Sequence, residues 1–166
     1  MIASLAMLAC SNGIREDNII DKRTQITHKM NNEQSTTSPF LIRTYFDDNT
    51  TWAGLAEKFT AKNDMGFSAN LDLVNDPKNE NLSIGEIVKK LPEDYPFDML
   101  FIADSLTLTQ SDNTVLCVDV INEQGSFFRV IPAELWSVEN NLSIANMDFQ
   151  DFFENCDENG VFRGFE

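Results

Sequence analysis

The chain has 166 residues, 42% of them apolar, and a formal net charge of −15 at pH 7. That length fits one domain plus a tail, and the acidity excludes a nucleic-acid ligand, because phosphate binding requires clustered Lys and Arg. No apolar run in the sequence reaches the roughly 18–20 residues that span a bilayer.

The acidic charge is confined to one part of the chain. Residues 1–39 hold four acids and four bases, so the whole charge of −15 falls on residues 40–166. The single histidine, His28, also lies in the neutral part. Residues 40–166 therefore lack the commonest general base at neutral pH. This excludes Ser–His–Asp and Cys–His nucleophiles there and favours recognition over catalysis.

The first residues resemble the end of a bacterial lipoprotein signal. Residues 1–9 are apolar and small, and Cys10 follows Leu-Ala and opens a polar stretch. By that resemblance residues 1–9 are removed and Cys10 carries the lipid. The protein then contacts a membrane only through its lipid anchor, facing the periplasm or the cell exterior. A true start at Met30 would instead make the protein cytoplasmic.

Residues 10–39 predict a flexible tether, and the acidic part that follows begins with alternating strands and helices. Aromatic and branched residues over 40–46 predict a buried strand. Apolar residues then recur at helical spacing over 52–59, and residues 69–74 predict a second strand. Ser83 and Glu86 form a capping box, which predicts a short helix that ends before Pro92.

Three strands are then predicted close together, at residues 97–103, 115–121 and 127–131, with a hairpin connection at 122–125. Pro132 opens a short helical turn, a polar stretch follows, and a helix is predicted over 149–156. The last residues are expected to dock in an extended form.

The predicted order is thus β-α-β-α-β-β-β-α. Strands joined by helices should be parallel with right-handed crossovers, and the later pair should be antiparallel. The predicted fold class is α/β: a single domain over residues 40–166, with a mixed β-sheet and helices packed on it.

The most distinctive sequence is FRVIPAELWSVENNLSIANMDF at residues 128–149, followed by GVFRGF at 160–165. Together with Ile42-Arg43-Thr44 and Trp52, it resembles a family of small, mostly bacterial proteins, domain of unknown function 6924, over about residues 40–166. The resemblance implies a compact α/β domain and no established activity.

Two predicted strands are followed by carboxylates, Asp47 and Asp48 after the first and Asp104 after the third. Parallel neighbours would bring them to one sheet edge, where open α/β sheets bind ligands. Such a set could hold Mg²⁺ or Ca²⁺, which makes a divalent-cation-dependent enzyme or sensor the alternative function. In the competing interpretation, Asp48 or Asn49 caps the helix and Asp104 caps a turn.

A dense polar cluster follows the apolar residues around Trp136. It consists of Asn140, Asn141, Ser143, Asn146 and Asp148. Such side chains either bond to their own backbone and fix an irregular loop, or form a recognition surface flanked by Trp136 and Met147.

Three arginines lie inside apolar strand-like runs: Arg43, Arg129 and Arg163. Arginine in such a place needs carboxylate or backbone partners, and the expected carboxylates are Asp104, Asp119 and Asp148. An anion-binding pocket is the alternative to a buried ion-pair network.

Taken together, the sequence favours a non-catalytic acidic binding module that needs no cofactor and engages a basic protein partner. An immunity-type role, neutralising a basic toxin, is one form of this hypothesis. Cys117 and Cys156 are expected to be buried thiols, with a disulfide between them as the alternative.

Overall fold

The computed structural model describes residues 36–121 and 125–165. The predicted leader, Cys10 and most of the predicted hairpin turn lie outside these residues. The helices are α1 (Asn49–Thr60), α2 (Ile84–Lys89), α3 (Ser105–Thr109), α4 (Leu135–Ser143) and α5 (Phe149–Phe153). The strands are β1 (Phe40–Arg43), β2 (Asp72–Val74), β3 (Met99–Ala103), β4 (Val115–Asp119), β5 (Phe127–Val130) and β6 (Val161–Phe162). None of the described helices has the length and apolarity that a membrane span requires.

The six strands form one mixed sheet in the order β2-β1-β3-β4-β5-β6. β1 pairs in parallel with both β2 and β3, and β5 pairs in parallel with β6. β4 is antiparallel to both of its neighbours, β3 and β5. The predicted α/β class, the parallel pairing of the first three strands and the antiparallel later pair are confirmed.

The sheet is covered on both faces, which explains why its central strands are apolar except at Asp119, the last residue of β4. Every residue of β3 and β4 is buried. Met99, Phe101 and Ala103 face a large cluster with α1, α4 and α5. Leu100 and Ile102 face a smaller cluster with α2.

Several boundaries differ from those predicted from the sequence. β2 begins at Asp72 rather than at residue 69, and β4 and β5 end at Asp119 and Val130. An unpredicted helix, α3, follows β3. The last residues are not merely docked, because Val161 and Phe162 pair with β5.

The polar stretch after Trp136, predicted as an irregular loop, is helical through Ser143. The Asn140 and Asn141 amides donate to the carbonyl oxygens of Trp136 and Ser137, at 2.7 and 2.8 Å. Each bond runs back four residues to a carbonyl on the same helix face, so these side chains are compatible with helix.

Three glycines differ in their backbone conformation and in the space around their Cβ positions. Gly164 has φ +108°, and a Cβ there would lie 3.3 Å from Cδ of Glu134. Gly66 also has positive φ, +88°, but nothing lies within 4 Å of its Cβ position. Gly54 lies inside α1 with open space around it and without positive φ. Alanine substitutions at these three positions therefore distinguish the cost of backbone strain from the cost of side-chain crowding.

We expect Gly164→Ala to lower the free energy of unfolding by about 1–3 kcal/mol, because it adds both strain and a close contact with Glu134. Gly66→Ala adds only the strain and should cost about 1 kcal/mol. Gly54→Ala should raise stability by about 0.5–1 kcal/mol. Urea unfolding measures all three. Equal losses for Gly164→Ala and Gly66→Ala would show that the Glu134 contact contributes nothing.

Candidate functional site

The carboxyl ends of the parallel strands meet around the guanidinium of Arg43, which is only 1% exposed. Its Nε donates to the Tyr45 carbonyl at 2.6 Å and Nη2 to the Asp48 carbonyl at 3.1 Å. Its Nη1 donates to the side-chain oxygens of Asn49 and Asn75, at 2.9 and 3.2 Å. One side chain thus ties β1, the loop before α1, the start of α1 and the loop after β2 together.

All four of these acceptors are neutral oxygens, so the charge of Arg43 is stabilised by dipoles. Aromatic rings add to them, since Cζ lies 4.4 Å from the Phe46 ring centroid and 5.1 Å from that of Trp52. Burial lowers the pKa of Arg43 from its ordinary value, while the Asp48 carboxylate acts in the opposite direction. With its donors directed inward, Arg43 holds the fold together and offers little to a ligand.

The three carboxylates of the predicted metal site have separate partners. Asp47 accepts a hydrogen bond from the Tyr45 hydroxyl, which raises the pKa of Tyr45. Asp48 caps α1, accepting from the backbone N–H of Thr51 at 2.8 Å, and hydrogen bonds from Thr51 lower the pKa of Asp48. Within residues 36–121 and 125–165, no three His, Cys, Asp or Glu side chains are grouped as potential metal ligands.

Asp104 has a structural role at the end of β3. Its Oδ1 caps α3 by accepting from the backbone N–H of Thr107 at 3.0 Å, and its Oδ2 pairs with Arg129. Arg129 also donates to the Thr114 carbonyl at 3.1 Å. The predicted cap is thus a helix cap rather than a turn cap, and Asp104 is one of the expected arginine partners.

Arg163 does not pair with the carboxylates expected from the sequence. Its Nε donates to Asp157 at 2.8 Å and its Nη2 to Asp112 at 2.9 Å. These two carboxylates raise the pKa of Arg163. The arginine side chain is 46% exposed, so this is a surface network rather than a buried one.

The predicted polar cluster divides into groups with different roles. Asn140 donates to the Ser68 carbonyl at 3.2 Å, on the loop where Phe67 stacks on Trp136 with centroids 5.1 Å apart. Two further contacts lie within the cluster or α4: Asn146 donates to Asn141 at 2.6 Å and Ser143 donates to Glu139 at 2.8 Å.

Asp148, the last member of that cluster, opens onto a cleft of about 470 Å³ at the opposite edge of the sheet. The cleft lies where β3 begins and β4 ends. Its lining consists of Asp98, Met99, Asp119, Leu142, Ala145, Met147, Asp148, Phe149 and Gln150. Three aspartates therefore line a cavity together with several apolar side chains, at a volume typical of ligand sites.

The cleft carboxylates are positioned by separate elements. Asp98 precedes β3 and is exposed. Asp119 ends β4, is 3% exposed and accepts from the backbone N–H of Ile121 at 2.9 Å. Asp148 precedes α5, where its N–H donates to Asp151 at 2.8 Å. Such an arrangement suits an ammonium or guanidinium group whose hydrocarbon part lies against Met147 or Phe149.

No local sequence pattern marks Asp98 and Asp119 as members of one site. In the antiparallel ladder Asp119 is opposite Met99, the residue that follows Asp98. The sequence feature that could have joined these two residues is the short link between the third and fourth strands. Such a link favours an antiparallel pair, which places the start of one strand beside the end of the other.

Cys117 and Cys156 are both free thiols. Cys117 is fully buried, and burial raises its pKa well above the ordinary value. Burial also raises the pKa of Cys156, to about 11. A thiol is a weak nucleophile unless ionised, so neither side chain has the character of a reactive cysteine.

The mixed sheet and its helices define a single α/β domain. Comparison with protein families matches residues 38–165 to the domain of unknown function described as DUF6924, and the chain belongs to that family. Comparison with curated proteins finds no match.

We expect Arg43→Lys to lower the free energy of unfolding by roughly 2–4 kcal/mol, because one ammonium cannot reach acceptors spread over three segments. Arg163→Lys, the matched surface change, should lose much less, since exposed ion pairs contribute little. Urea unfolding followed by tryptophan fluorescence measures both. If Arg43→Lys were as stable as wild type, the Arg43 side chain would not be holding these segments together.

Proposed function

We propose that the domain is a binding module whose acidic cleft takes a positively charged segment of a protein partner. The observation that carries this proposal is the placement of Asp98, Asp119 and Asp148 around one cavity with apolar lining. Carboxylates supply the charge for a Lys or Arg head group, and the apolar lining accommodates its hydrocarbon stem.

The charge of the whole chain supports the same proposal. A net charge of −15 attracts a basic partner from a distance and raises the rate of productive encounter. One specific form of this function is an immunity-type role, in which the domain covers a basic surface of a toxin. The size and charge of the domain favour that form.

The proposal includes an anchored location for the binding module. Residues 1–9 would be removed as a signal and Cys10 would carry the lipid, which would hold the domain at a membrane surface. This part of the proposal is supported by the sequence alone, because these residues lie outside the described ranges.

Mass spectrometry of the chain isolated from membranes of its native host tests the anchor. We expect a mature N-terminus at Cys10 with a diacylglyceryl adduct. A chain that begins at Met1 or Met30 and carries no lipid would contradict the anchor without affecting the proposed role of the cleft.

The cleft itself is tested by calorimetric titration of the full chain with an oligolysine peptide. We expect the double variant Asp98→Asn/Asp148→Asn to bind about tenfold more weakly than wild type, because two carboxylates of the cleft lose their charge. Asparagine can still cap a helix, so α5 should remain intact.

The matched control is Glu57→Gln/Asp64→Asn, which removes the same charge from exposed positions outside the cleft lining. It should change affinity by less than about twofold at moderate salt, where distant charges are screened. Equal weakening in the two double variants would show that binding depends only on total charge and would refute a cleft-based function.

A further inference from the structure

Two half-exposed aromatic rings extend from the core to the protein surface. Phe128 lies in an aromatic cluster with Phe149 and Phe152, at centroid distances of 5.0 and 6.2 Å. Phe153 stacks on Phe149 at 6.5 Å, and Phe165 lies 5.4 Å from Phe152. Phe153 and Phe165 are each 46% exposed, so the aromatic cluster continues to the protein surface.

This aromatic surface adjoins the cleft through Phe149, which lines the cavity. Phe153 is four residues further along α5 and therefore on the same side of the helix. Ile144 is 74% exposed and directly precedes the lining residue Ala145. Exposed apolar side chains thus occur next to the carboxylates.

The same part of the chain carries an excess of acids. Residues 130–162 contain no Lys, Arg or His. Their acids are Glu134, Glu139, Asp148, Asp151, Glu154, Asp157 and Glu158. Asp157 pairs with Arg163, but the charge of this segment remains strongly negative, which favours a cationic partner and disfavours a purely apolar one.

We propose that Phe153 and Phe165 form an apolar docking surface for the partner segment, so that this segment is amphipathic, with basic residues for the cleft and an apolar residue for the exposed rings. The inference rests on the proposed function and makes it more specific. Aromatic side chains that become buried at the centre of an interface commonly dominate its affinity.

Two synthetic peptides of equal length and equal charge test the proposal against the full chain. One is an amphipathic helix of Lys and Leu, and the other carries Ser in place of Leu. We expect the Lys-Leu peptide to bind about tenfold more tightly by calorimetry, because it also buries apolar surface against the exposed rings.

The variant Phe153→Gln should reduce that preference to about twofold or less while leaving affinity for the Lys-Ser peptide unchanged. Phe127→Gln is the matched control. Phe127 is 49% exposed and pairs with Val118, whose side chain belongs to the cluster on the other face of the sheet. It should leave both affinities unchanged.

Amide shift mapping of the wild-type chain keeps the test decisive if Phe153→Gln is poorly folded. The Lys-Leu peptide should shift residues 149–153 and 163–165, and the Lys-Ser peptide should shift mainly the cleft residues. Equal affinity for both peptides, with both weakened by Asp98→Asn/Asp148→Asn, would overturn the amphipathic partner and leave the proposed function standing. If Asp98→Asn/Asp148→Asn left the affinity for both peptides unchanged, the proposed function itself would be overturned.

Discussion

The central strand β3 is buried along its whole length and on both faces, and the other layers of the domain are arranged to cover it. Such a strand needs helices on both sides of the sheet, because an uncovered apolar face would meet water. α1, α4 and α5 cover one face and α2 covers the other. With both faces occupied, open surface near the central strands occurs where they begin and end.

Charged side chains at the two ends of the central strands differ in what they contact. At the carboxyl edge of β1 and β3, Arg43 and Arg129 direct their donors inward to loop carbonyls, amides and Asp104. Those contacts secure the connections of the parallel strands. At the opposite edge, Asp98 and Asp119 lie beside an open cleft. The edge that topology usually assigns to ligands is here occupied by structural contacts.

The sequence predicts this fold better than it predicts the cleft, and particular residues show why. Ser83 and Glu86 specify α2 locally, since each bonds to the backbone of the other. Apolar runs specify β3 in the same local way. The second half of α4 is not predicted, because asparagines such as Asn140 are typical of loops. In the structure the Asn140 side chain instead donates to a carbonyl of its own helix. The cleft depends on pairing between distant strands, which no local pattern contains.

The distribution of acids has a physical consequence that connects the fold with recognition. Residues 130–162 contain acids and no bases, and although Asp157 pairs with Arg163, the mutual repulsion of the remaining acids opposes the compact state. The apolar cluster of Phe128, Phe152 and Phe162 has to outweigh that repulsion. A cationic segment bound at the cleft would relieve the repulsion and stabilise the native state through mass action. Binding and folding of this part of the domain would therefore be coupled by electrostatics, without any need for a change in backbone conformation.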